Sequence, residues 1–141
     1  HRLAFASFAQ GRIAQRSDPA AARAAFERAD AIYAQLPGMA LHRAFVGAQL
    51  AAHALAEGDA ARVRAITERH LPVAARHENA MLLSTMMMLR SQALALQGQT
   101  ADARALRLDS LGWARYGFGA EWAVRAKLQE IAALNPMTPG G

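Results

Sequence analysis

Helix-breaking residues divide this chain into seven apolar stretches of similar length, and this spacing constrains the fold more than any other feature. The breaks are Ser17-Asp18-Pro19, Leu36-Pro37-Gly38, Glu57-Gly58-Asp59, Gln97-Gly98-Gln99-Thr100, Gly117-Phe118-Gly119 and Asn135-Pro136, together with a weaker one near residue 78. Between them, β-branched residues are scarce and alanine makes up about a quarter of the chain, so local propensity favours helix over strand. The sequence therefore predicts an all-α fold.

The breaks predict about seven helices and leave little of the chain outside them. We expect helices at about 2–16, 19–35, 39–57, 60–77, 79–97, 101–116 and 120–134. The break near residue 78 has the weakest signal. Pro72 removes a backbone donor within the fourth stretch, so that helix should kink there or end near Leu71 and resume. We expect residues 1–136 to form one domain and residues 137–141 to be a disordered tail.

An internal repeat relates the helices in pairs. Asp18, Asp59 and Gln99 each open the second helix of a pair, and they stand about forty residues apart. Helices joined by such short turns lie antiparallel to their neighbours. We therefore expect antiparallel helical hairpins that stack as a right-handed solenoid.

Several of these residues also carry a family resemblance. Ala22-x-x-x-Phe26-x-x-Ala29, followed by Leu36-Pro37, resembles the second helix of a tetratricopeptide repeat (TPR). Gly58-Asp59 and Gly98 fall where that family turns between its helices, and Leu134-Asn135-Pro136 resembles a repeat ending. The period is nearer forty than the family's thirty-four, and in this it is similar to the helical-repeat domains of large bacterial ATP-dependent transcription regulators and sensor proteins. The resemblance implies a TPR-like array whose concave side receives a protein or peptide.

The charge of the chain permits an acidic ligand without requiring one. Lys and Arg outnumber Asp and Glu to give a net charge of +5, and every basic residue except Lys127 is arginine. Arginine suits carboxylate and phosphate partners, but a GC-rich genome also tends to encode chains rich in alanine and arginine. The basic fourth helix, with Arg62, Arg64 and Arg69, contains no aromatic residue that could stack on a base. We therefore do not expect nucleic-acid binding.

No pattern in the sequence indicates a metal, a cofactor or catalysis. The chain has no cysteine, and it lacks the phosphate-loop, serine-elbow and zinc-protease motifs. His42 and His53 share a face of the third helix, but they lie three helical turns apart, too far for one metal ion. We expect a non-catalytic chain with no cofactor and no metal.

The fifth helix is apolar almost all round, which leaves two interpretations open. A helix of this kind is usually buried, but a flexible methionine surface would also suit a peptide. On the second interpretation, the expected peptide- or partner-binding residues on the third and fifth helices are Phe45, Ala48, Ala52, Met81, Thr85, Met88 and Gln92.

The function expected from the sequence is a protein–protein interaction or scaffold module that binds a peptide or partner helix. The alternative is a regulatory segment of a larger bacterial transcription regulator, sensor or enzyme, because the chain starts at His1 and residues 3–9 read as the interior of a helix. The most apolar run, 80–89, is about half of what a bilayer span requires, so no span is expected. The sequence leaves the compartment open, with a cytoplasmic location slightly favoured over a processed periplasmic product, and it leaves the oligomeric state undetermined.

Overall fold

The computed structural model describes residues 2–14 and 18–118, and this part of the chain is all-helical with no strand. Its helices are α1 (Arg2–Ala14), α2 (Pro19–Ala34), α3 (Ala40–Ala56), α4 (Ala60–Arg76), α5 (Ala80–Leu96) and α6 (Thr100–Phe118). The prediction of an all-α fold is confirmed for the described residues, and the first six predicted helices match these bounds to within two residues. The predicted helix at 120–134 and the tail at 137–141 lie outside the described residues.

The helices are joined by turns that recur at intervals of twenty residues. Gly38, Gly58, Glu78 and Gly98 adopt left-handed backbone conformations, with φ of 73°, 78°, 52° and 81°. After the last three, the next backbone N–H donates to a carbonyl five residues earlier, as from Asp59 to Ala54 at 2.9 Å. This arrangement closes the C-terminus of a helix and reverses the chain within a few residues. The weakly signalled break near residue 78 is therefore a turn of the same kind as its neighbours.

The residue immediately before each of three helices, α2, α4 and α5, caps that helix with its side chain. The carboxylates of Asp18 and Asp59 and the amide oxygen of Asn79 accept a hydrogen bond from the backbone N–H three residues later, at 3.0, 3.1 and 3.0 Å. Each bond satisfies one of the free donors in the first turn of a helix. At 58–59 and 78–79, consecutive residues thus end one helix and begin the next.

Glu78 is the only non-glycine residue in the left-handed region among the described residues, and replacing it should stabilise the protein. A side chain in this conformation costs about 1 kcal/mol that glycine avoids. We expect Glu78→Gly to raise the free energy of unfolding by about 0.5–1 kcal/mol, because the greater freedom of glycine in the unfolded chain offsets part of the gain. Urea denaturation monitored by circular dichroism would measure the change.

Two control variants separate the backbone effect from the loss of charge. Glu78→Gln should leave stability nearly unchanged, because it removes the charge and keeps the strained conformation. Gly98→Ala, at the same place in the next turn, should lower the free energy of unfolding by about 1 kcal/mol, although no atom lies within 4 Å of the added carbon. A Glu78→Gly midpoint at or below that of the parent chain would contradict the interpretation.

Helix α4 corrects one expectation, because it runs through Pro72 without a break. Of the two alternatives predicted at Pro72, the helix end near Leu71 is therefore wrong, and the kink stays a prediction. Proline at 72 removes the N–H that would donate to the carbonyl of Glu68. Pro72 and Glu68 are both exposed, so water can take the place of the missing donor.

The core forms between helices that follow one another in the chain, and α3 lies at its centre. Consecutive helices pack together, and α3 also packs against α5. One apolar cluster joins α1, α2 and α3 around Phe26, and two others join α3, α4 and α5 around Val63 and Met86. All three clusters include residues of α3, so this helix connects the two ends of the described core.

Candidate binding site between α2, α3 and α4

Three of the seven residues predicted to bind a partner lie in the interior. Ala48, Met88 and Gln92 are only 6%, 4% and 5% exposed, and Met88 belongs to the cluster around Val63. The reason is the position of α5, which packs against α3, α4 and α6 and so buries most of its circumference. For Met88 and Gln92, the interpretation of α5 as a buried helix describes the structure better than an open methionine surface does, and Ala48 of α3 is buried in the cluster around Met86.

The other four predicted residues retain exposed surface. Ala52 and Met81 are exposed, while Phe45 and Thr85 are half-buried. Phe45 packs at the margin of the cluster around Met86, and the Thr85 hydroxyl donates to the Met81 carbonyl at 2.9 Å. Their role in binding a partner stays a prediction.

A cavity that the sequence did not predict lies where the end of α2, the turn after it, the start of α3 and the second half of α4 meet. Its volume is about 280 Å³, close to the lower end of the roughly 300–1,000 Å³ typical of ligand sites. Its apolar lining comes mainly from Leu36, Met39 and Val73. The polar lining residues are Tyr33, Arg43, Arg69 and His70.

One of the two arginines at the cavity is held by an ion pair across the α2–α3 turn. Nε of Arg43 donates to Oδ1 of Asp30 at 2.8 Å, and the Nη2 atom of Arg43 lies 3.5 Å from Oδ2. Both side chains are more than two-thirds buried, and contacts of a guanidinium with both carboxylate oxygens restrict its orientation. Arg43 is therefore positioned at the cavity, and its charge is largely balanced.

Arg69 differs from Arg43 because no side chain balances its charge. It is exposed at the cavity, and it has no hydrogen bond or ion pair among the described residues. Arg43, Asp30 and Arg69 together leave this region with one net positive charge. A cavity of this kind favours an anion over a neutral or cationic molecule.

His70 forms the buried wall of the cavity and touches the backbone of α3. The imidazole is 5% exposed and has no hydrogen-bond partner among the described residues. A Cβ atom at Gly47 would lie 2.6 Å from Cδ2 of the ring and 2.9 Å from Nε2, closer than such atoms can approach. The absence of a side chain at 47 therefore permits the ring to lie against α3.

Burial is the main cause of a lowered pKa at His70, because it disfavours the charged imidazole. The carboxylate of Asp30 opposes this shift, while the positive charges of Arg43 and Arg69 add to it. The neutral ring is consequently the favoured form at neutral pH, when it offers one N–H donor and one acceptor nitrogen.

The lowered pKa predicts that His70 makes the protein less stable in mild acid. The contribution of neutral His70 to folding stability is fully present above the ordinary histidine pKa of 6.5. It is lost as the pH falls through the lower pKa of the folded state, because the unfolded chain then binds the proton more readily. We expect the parent chain to lose more stability than His70→Gln between about pH 7.5 and pH 5. Urea denaturation of both proteins across this range would test the difference, and parallel pH profiles would contradict it.

The sequence does not predict the cavity, because its lining residues come from separate stretches of the chain. In the sequence, Arg69 belongs to the basic stripe of the fourth helix, and His70 lies too far along that helix from His77 to share a metal ion with it. Among the described residues, no three histidine or acidic side chains come together to hold a metal ion. Within the same part of the chain, no helix combines the length and apolarity that a membrane crossing needs.

Comparison with known proteins adds no relative from which a function could be transferred. No protein-family model, curated protein sequence or solved structure matches the chain. The tetratricopeptide resemblance consequently remains a prediction from the turns and the helix spacing.

Proposed function

We propose that this chain is a non-catalytic interaction module whose hairpins α1–α2, α3–α4 and α5–α6 stack as a right-handed, TPR-like solenoid. The observation that carries the proposal is the recurrence of helix junctions every twenty residues, at Gly38, Gly58, Glu78 and Gly98, which gives α3, α4 and α5 the same length of 17 residues. The contact between α3 and α5 supports it, because the first helices of consecutive hairpins are neighbours in a stacked array. Such arrays bind partners along the face that these first helices line.

The proposed binding face combines the exposed surface of α3 and α5. Ala52 is small and lets a partner backbone approach, while Met81 is 44% exposed and adapts its shape to apolar side chains. Phe45 and Thr85 extend the same two helices with a half-buried ring and a hydroxyl. None of the four is charged, which suits the apolar side of a partner helix or an extended peptide with apolar anchors.

Selection of peptides from a random displayed library would test this proposal directly. Selected peptides should bind the parent chain, and a double variant Ala52→Glu with Met81→Glu should bind them at least about tenfold more weakly, because a carboxylate buried at the interface loses its hydration. Both positions are exposed, so the variant should retain its thermal midpoint.

The matched control places the same two charges on second helices. Ala65→Glu with Ala105→Glu changes exposed alanines of α4 and α6, and it should leave the affinity for the selected peptides unchanged. Equal losses in both double variants, or a library that yields no binder, would overturn the proposed function.

A further inference from the structure

We propose that the cavity between α2, α3 and α4 is a binding site for a small free carboxylic acid with an apolar body. The lining of this site includes none of the four residues of the proposed binding face, so the inference goes beyond the proposed interaction module and stands independently of it. It follows from the shape, the charge and the unused hydrogen-bonding groups of the cavity.

The charge of the cavity matches a monoanion. Asp30 engages Arg43 through both carboxylate oxygens, and Arg69 has no partner among the described residues. One carboxylate would therefore neutralise the one net positive charge. Because a guanidinium donates two parallel hydrogen bonds to a carboxylate, Arg69 can bind and orient the anion at once.

Two further polar side chains at the cavity, His70 and Tyr33, have no hydrogen-bond partner among the described residues. His70 is 95% buried, since only 5% of its surface is exposed, and its neutral ring can donate one N–H to an anion without placing a second charge in the interior. Tyr33 also lines the cavity and is 5% exposed. The imidazole N–H of His70 and the hydroxyl of Tyr33 are therefore donors that a ligand with acceptor oxygens can use.

The remaining lining determines the body of the ligand. Leu36, Met39 and Val73 contribute apolar surface beside the polar groups, and burying apolar ligand surface there contributes favourable free energy. The volume of about 280 Å³ holds a single ring or a short chain, but not a nucleotide. An aromatic or short aliphatic acid therefore fits the cavity in both size and polarity.

Benzoate is a suitable probe, and benzamide is its uncharged counterpart. In ¹⁵N–¹H NMR titrations of the whole chain, benzoate should bind with a Kd on the order of a millimolar, as expected for a ligand of this size. The shifts should be concentrated at backbone amides around the cavity, such as those of Gly38 and Arg69. Benzamide should bind at least about tenfold more weakly, because it cannot form the charge-assisted contact.

Variants show where benzoate binds, and they are chosen so that a loss of binding does not reflect a loss of folding. Arg69→Gln should weaken benzoate binding about tenfold, whereas Arg104→Gln, an exposed arginine of α6, should leave it unchanged. Ala34 is exposed and lines the cavity, so Ala34→Trp should fill the space and abolish binding without altering the charge. Both Arg69→Gln and Ala34→Trp should keep the parental NMR dispersion.

Two additional ligands test whether the cavity prefers a peptide C-terminus or an inorganic anion to a small free carboxylic acid. N-acetylphenylalanine represents a peptide C-terminus, and it should bind more weakly than benzoate because its larger body exceeds the cavity. Inorganic phosphate should bind least, since it has no apolar body. Any one of three results would overturn the inference. Phosphate or N-acetylphenylalanine could bind more tightly than benzoate, benzamide could bind as tightly as benzoate, or the Arg69→Gln variant could bind benzoate with the parental affinity.

The test of carboxylate binding is independent of the test of the interaction module. Arg69→Gln should leave the affinity for library-selected peptides unchanged, and Ala52→Glu with Met81→Glu should leave the affinity for benzoate unchanged. Failure of one proposal therefore does not imply failure of the other.

Discussion

Phe26→Ala is expected to lower the free energy of unfolding by about 4 kcal/mol, within the range of roughly 3–5 kcal/mol for phenylalanine truncation in a core. Phe26 is fully buried and has the largest side chain among the fully buried residues in the described part of the chain. Its ring centroid lies 5.6 Å from that of Phe8 and 5.8 Å from that of His53. A Cβ atom at Gly11 would come within 2.7 Å of the same ring. The ring thus fills the space between α1, α2 and α3, and its removal leaves a cavity that these helices can close only in part.

The measurement is urea or thermal unfolding of the variant beside Phe5→Ala. Phe5 also belongs to this end of the chain, but it is 66% exposed, so the same substitution should change stability by less than about 0.5 kcal/mol. Similar losses of stability in Phe26→Ala and Phe5→Ala would mean that the ring of Phe26 does not hold the α1–α3 core together.

Gly47→Ala is expected to destabilise the protein by about 1–3 kcal/mol, although alanine favours helix over glycine by about 1 kcal/mol. The added carbon would stand 2.6 Å from Cδ2 of His70, so the imidazole or the α3 backbone must move. His70 is buried between the helices and has little room to do so. Overpacking therefore outweighs the gain in helix propensity.

Gly112→Ala is the matched control, because Gly112 lies in α6 with no atom within 4 Å of an added carbon. That substitution should stabilise the protein by about 0.5–1 kcal/mol. In a double-mutant cycle, His70→Ala should remove most of the cost of Gly47→Ala, since the colliding ring is then absent. A cost that is the same in both backgrounds would contradict the contact with His70.

The sequence predicts the helix bounds well because their signals are local. A glycine that ends a helix and an aspartate that begins the next act within a few residues of backbone, as at Gly58 and Asp59. The signal near residue 78 is weak because Glu78, unlike glycine, has no preference for the left-handed conformation that it adopts. Asn79, whose side chain caps α5, is the local signal that marks this break.

The candidate sites were less predictable because they depend on which helices meet. The apolar residues of α5 surround the helix, so the spacing of Met81 and Met88 cannot tell which one faces solvent; only Met81 does. The cavity joins residues from 33 to 73 on three helices. In particular, the contact between Gly47 and His70 follows from the packing of α3 on α4, which no short sequence pattern encodes.

The arrangement of the core also has a consequence for folding kinetics. Helices that pack extensively are adjacent in the chain, with α3 on α5 as the exception, so the contacting residues have small sequence separations. Bringing such residues together costs little loop-closure entropy, and helical proteins of low contact order fold in microseconds to milliseconds. The described helices are therefore expected to fold rapidly, and more than one hairpin can serve as the starting point.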